Sequence, residues 1–132
     1  MSQDHFAQAC DRLSQAVDAT LYERLRWERH EGPMLARLVA LAHGALEARP
    51  EFELAEEGAT SDIKRFVLKI HSMRTVAVTI WLDQGRAAIR ADMIERSRFK
   101  LAAGEPIVVD YELVDERWMA HALQDLFSRV FT

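Results

Sequence analysis

The side chains able to do acid–base, nucleophilic or metal chemistry are scattered along this chain. The five histidines are His5, His30, His43, His71 and His121, and the single cysteine is Cys10. No two histidines stand in an HxH or HExxH spacing, and one thiol cannot build a thiolate cluster. No metal centre is therefore expected. His5 beside Asp4, and His121 near Asp125, make isolated pairs that fall short of a ligand set. Cys10 falls on an apolar helical stripe, where a thiol is expected to pack as a small, inert hydrophobe. There is no GxSxG elbow, and the glycines at 32, 44, 58, 85 and 104 are too dispersed for a phosphate or dinucleotide loop. Glu56-Glu57 and Asp110/Glu112 are the nearest paired carboxylates, and a solvated strand edge accounts for both. No catalytic residue and no cofactor is expected.

One constellation stands out from this background. Arg65, Lys69, His71, Trp81, Arg90 and Asp92 sit at alternate positions of strand-like segments, so they are expected to share one sheet face. Thr79, Asp110 and Glu112 are placed on the same side. Aromatic and basic residues on such a face can stack single-stranded bases. That signal normally brings several aromatics and a basic domain, whereas this chain has a net charge of −4. Nucleic acid is accordingly disfavoured. Cross-strand pairing of Arg90 with Asp110 or Glu112, and Trp81 as an anchor for a protein partner, fit the same residues. A second set, Trp27, Tyr111, Trp118, Met119 and Phe127, is the candidate lining of an apolar pocket between helices and sheet. Ordinary close-packed core is the competing account of it.

The elements that must position these residues follow from periodicity. Phe6, Ala9, Cys10, Leu13, Ala16, Val17, Leu21 and Leu25 recur at three- and four-residue steps, predicting one amphipathic helix over residues 3–28 with Ser2 as its cap. Gly32 is expected to end the approach and Pro33 to open a second helix over 33–48. Gly44 inside that helix costs about 1 kcal/mol relative to alanine, and a close backbone approach is the expected compensation. From residue 51 the period becomes two. A short edge strand, a loop at 58–62, and strands over 65–71, 75–82, 87–94 and 107–113 follow, with a tight turn at Asp83-Gln84-Gly85. The basic segment 94–101 reads as an extension of the fourth strand whose charges guard an edge. A last helix over 115–131 has Asp115 as its cap. Short connections exclude parallel crossovers. The expected fold is α+β: a four- to five-stranded antiparallel meander packed on two N-terminal helices and one C-terminal helix, as one domain over 1–132.

Composition sets the outer bounds. The 132 residues are 49% hydrophobic and 29% charged, which is ordinary for a folded domain of this size. The charge is unevenly spread: net −5 over 1–61, +5 over 62–100 and −4 over 101–132. Such opposed blocks suit self-association as well as an anionic partner. With one cysteine, no leader-like N-terminus and no long apolar run, a cytoplasmic protein off the membrane is expected. Three function classes remain, in this order. The first is a non-enzymatic interaction module, self-associating or holding a protein partner. The second is a binder of a small apolar ligand, or an enzyme of unnamed reaction. The third is a nucleic-acid binder.

Overall fold

The computed structural model describes residues 2–60 and 62–132, and the side chains of Ser2 and Gln3 are not among what is described. The cap expected of Ser2 therefore lies outside the described residues, as does Ser61 in the loop expected at 58–62. The chain divides into two compact units, Met1–Pro33 and Met34–Thr132.

The first unit is helical, but it is not the single helix that the periodicity suggests. It comprises α1 (Ser2–Val17), α2 (Ala19–Arg26) and a wide π turn (Trp27–Glu31). The break falls at Asp18, whose backbone is extended at φ −156° and ψ 98°. Its carboxylate accepts a hydrogen bond from the Leu21 N–H at 3.1 Å, capping α2. Aspartate competes with helical backbone bonding and is a strong cap. The apolar spacing runs straight through the break and so hides it.

The expected stop at Gly32 does not occur either. Gly32 is helical at φ −55°, and its N–H bonds back to the Trp27 carbonyl. A Cβ at Gly32 would lie 3.3 Å from that carbonyl oxygen, so the glycine admits a close approach by Trp27. Pro33 follows within the helical run. A proline ring collides with the carbonyl four residues earlier in a regular helix. The wider π turn just before it relieves that collision.

The second unit holds α3 (Gly32–Ala45, which begins at the end of the first unit), five principal strands and α4 (Glu116–Ser128). The strands are β1 (Phe52–Glu56), β2 (Ile63–Ile70), β3 (Met73–Asp83), β4 (Arg86–Met93) and β6 (Ile107–Asp110). They pair in the order β1-β2-β3-β4-β6, every neighbour antiparallel, so the expected meander is present. β5 (Lys100–Leu101) and β7 (Val130–Phe131) form a separate two-stranded ribbon. That ribbon ends α4 earlier than residue 131. Segment 94–101 does not extend β4: Arg96 turns at φ 65°, and the Ser97 hydroxyl donates to the Thr75 carbonyl at 2.6 Å.

Register places the core. Phe66↔Val78↔Ala91, Leu68↔Val76 and Ile80↔Ile89↔Ile107 are cross-strand neighbours on one face. Phe66, Leu68, Val76, Val78, Ile80 and Ile89 are buried there. Leu35, Leu38 and Ala42 of α3, and Met119, Ala122, Leu123 and Leu126 of α4, are the buried helix residues of this unit. Ring contacts tie helix to strand: His43 stands edge-on to Phe66 at 5.6 Å, and Phe127 meets Phe52 at 5.9 Å. Asp115 caps α4 as expected, accepting from the Trp118 N–H at 2.7 Å. The Asp83-Gln84-Gly85 turn is also as expected, with Gln84 at φ 48° and Gly85 at φ 82°.

Candidate functional site

The second face of the sheet carries most of the polar constellation. Arg65, Thr79 and Arg90 lie in one cross-strand row, Ala77 and Asp92 in the next, and Trp81 and Ala88 in the row on the other side. Lys69 alternates onto the same face. His71 does not share it. That residue sits in the two-residue turn between β2 and β3, at φ 51° with Ser72 at φ 65°. The turn falls one residue earlier than the sequence suggested, which removes His71 from the strand.

This face is less open than its alternation implies. Val67, Ala77, Thr79 and Ala88 on it are buried. They are small residues ringed by Arg65, Lys69, Trp81 and Arg90, whose long stems can lie across them. Its charges are largely matched from within. Arg90 pairs with Asp92 at 2.9 Å and stacks its guanidinium on Trp81, 5.2 Å from the ring centroid. Arg86 pairs with Asp110 at 3.3 Å, because register sets those two opposite each other, whereas Arg90 lies beyond the β4–β6 pairing. Arg74 donates to Glu57 at 2.7 Å, and that hydrogen bond is the main reason the Glu57 carboxyl is held below its usual range. Arg65 and Lys69 enter no ion pair among the described residues. Two such cations make no continuous basic track.

The five aromatic and methionine residues do not converge on one cavity. Met119 is fully buried core. Trp27 belongs to the π turn, Tyr111 to the 3-10 turn Tyr111–Leu113, and Trp118 to the first turn of α4. Phe127 does line a hollow of about 330 Å³, together with Leu46, Arg49, Phe52, Leu123 and Gln124. Ala45 and Ala120 also line it, and both line a second hollow of about 430 Å³ with Ala40, Leu41, Gly44, Glu47 and Glu116. The two hollows adjoin at Ala45 of α3 and Ala120 of α4. The backbone approach expected at Gly44 is missing: a Cβ built there meets nothing within 4 Å.

The least satisfied surface lies in the first unit, on residues that read as core. Phe6 is 72% exposed, Leu13 62% and Val17 85%, all on one stripe of α1. Leu21 and Leu25 of α2 are also exposed. Cys10 is exposed on the same stripe, which corrects the expectation that it is packed. A groove of about 220 Å³ between the two helices is lined by Cys10, Asp11 and Ser14 from α1 and by Tyr22, Leu25 and Arg26 from α2, so α2 folds back along α1. Helical spacing then sets the stripes of both helices on the same side of that groove. Sequence reasoning found these residues and misassigned them, because periodicity shows that a stripe is apolar without showing what covers it.

Among the described residues, no three His, Cys, Asp or Glu side chains gather where they could hold a metal ion. Among the described residues, no helix is long and apolar enough to cross a membrane. Comparison with protein families, curated proteins and solved structures finds no match.

Proposed function

We propose that this protein is a non-enzymatic interaction module that acts as a homodimer, with the apolar flank of the α1–α2 hairpin as its contact surface. The observation that carries the reading is the exposure of Phe6, Leu13, Val17, Leu21 and Leu25 together. From their side-chain sizes these five present roughly 600 Å² of apolar surface, at the upper end of what one patch on a monomer shows. A stable interface takes about 800 Å² from each partner, so this flank supplies most of one. The reading includes a cytoplasmic location, where the exposed Cys10 thiol stays reduced.

Light scattering of the whole chain at high micromolar concentration tests it. The expected mass is twice that of the chain, falling to the single-chain mass when Phe6 and Leu13 are both changed to Glu. A wild-type monomer overturns the proposal.

A second reading, a small apolar ligand, is favoured by the hollow at Phe52 and Phe127, whose volume falls at the lower end of ligand pockets. Decanoate is a suitable probe, its chain against the two rings and its carboxylate near Arg49. A rise in Tm that disappears in Arg49→Ala supports this reading, and no rise removes it.

A further inference from the structure

We infer that the two hollows beside α3 and α4 make one elongated site for a free, single-chain carboxylate longer than decanoate, with its head at Arg49 and its tail over Ala45 and Ala120. The inference rests on the small-ligand reading above and names the ligand class.

Helical spacing sets the long axis of the site. Glu116, Ala120, Gln124 and Phe127 follow one another at four- and three-residue steps on α4, so they share one face. Leu41 and Ala45 do the same on α3, with Arg49 in the turn that follows. The first hollow takes the Arg49 and Phe127 end, and the second takes the Leu41 and Glu116 end. The site therefore runs along the helices rather than across them.

Length and volume then select the ligand. Phe127 lies eleven residues beyond Glu116, which is about 16 Å along a helix axis. An extended alkyl chain advances about 1.25 Å for each C–C bond of about 1.5 Å, so roughly thirteen bonds cover that span. Decanoate falls short of the far end, and tetradecanoate reaches it. The first hollow alone, about 330 Å³, sits at the lower end of ligand pockets, and the second adds about 430 Å³. Small residues leave the passage between them open. Ala45 and Ala120 line both hollows, and a Cβ built on Gly44 meets nothing within 4 Å.

Charge sets the direction. Arg49 is the charged residue of the first lining and enters no ion pair among the described residues. Glu47 and Glu116 border the second hollow and enter none either. A carboxylate is repelled at their end and drawn to the guanidinium at the other. The carbonyl ends of α3 and α4 also lie at the Arg49 end, so Arg49 itself has to balance the head group.

Calorimetric titration of the full chain with decanoate and with tetradecanoate, each below its micelle-forming concentration, tests the inference. A fully buried methylene strengthens binding roughly fourfold, and an open site buries each one only in part, so the four extra methylenes should gain at least about tenfold. Gly44→Leu sends a side chain into the second hollow from a position with open space at its Cβ, and should erase most of that gain. Ala40→Phe, at an exposed position lining the same hollow, repeats the test should the first variant not fold. Tetradecanol should bind more weakly than tetradecanoate, and Arg49→Ala should remove that difference.

Tetradecanoate binding no tighter than decanoate overturns the inference and leaves the small-ligand reading intact. A gain that survives both variants comes from another apolar surface and overturns it too. An alcohol that binds as well as the acid refutes the carboxylate head. Sedimentation with phosphatidylglycerol vesicles that is lost in Gly44→Leu would put the hollows against a membrane and overturn the free ligand. Binding of neither acid removes this inference and the small-ligand reading together.

Discussion

Gly44→Ala is expected to stabilise the chain. The residue lies in the last turn of α3 with an ordinary helical backbone, since only Gly58 and Gly85 among the glycines take positive φ. An added Cβ has nothing within 4 Å to strain against. The substitution then restricts the unfolded chain and improves helix propensity, a gain of roughly 0.5–1 kcal/mol. For a chain of this size that is about 2–5 °C in Tm. The measurement belongs in the Phe6→Glu, Leu13→Glu background, by thermal unfolding at low concentration. A loss of stability in the monomeric background would refute the reasoning, because it would mean that something already packs against Gly44.

Three further expectations test the fold that carries these surfaces. Asp115→Ala removes the acceptor for the Trp118 N–H and should cost about 1 kcal/mol by urea unfolding, with Asp115→Asn largely sparing it. Leu126→Ala hollows out a side chain with no solvent exposure and should cost about 2–5 kcal/mol. Arg74→Ala should raise the Glu57 carboxyl pKa towards its ordinary value, read by carboxyl NMR titration. Since folding lowers that pKa, the contribution of Glu57 is present above the unfolded value of about 4.3 and fades as pH falls through the lower folded value. The acid limb of the unfolding curve should therefore be slightly shallower in the variant.

The sheet was legible because period-two alternation and turn chemistry agree. Phe66, Leu68, Val76 and Val78 mark one face, and Gln84-Gly85 marks a turn that needs positive φ. The α4 cap was legible because Asp115 precedes an apolar run, and a carboxylate there has one obvious use. What the chain hid has local causes. Asp18 breaks the first helix without disturbing the apolar spacing on either side of it. The π turn at Trp27–Glu31 carries the helix past Gly32 and Pro33, two residues that normally end one. The last segments depend on distant pairing: β5 with β7 forms only because residues 100 and 131 meet, a fact no local pattern contains.

Residue type and residue satisfaction point to different places on this molecule. Trp81 and Arg90 have the look of a recognition pair, yet each already holds the other, and Asp92 completes the arrangement. A partner that used Arg90 would first have to break its bond to Asp92, and an exposed ion pair gains little when exchanged for another. Phe6, Leu13 and Val17 have the look of core, yet they stand in water at a hydrophobic cost that grows with their area. The hollows beside α3 and α4 have a mixed lining, with alanines and leucines beside Arg49, Glu47 and Glu116, and a glycine with nothing against it. Covering the exposed stripe removes a standing cost, whereas docking on the Trp81 face replaces interactions that already exist. By that measure the exposed stripe of the first unit stands to gain more from being covered than the sheet face that the sequence makes most conspicuous.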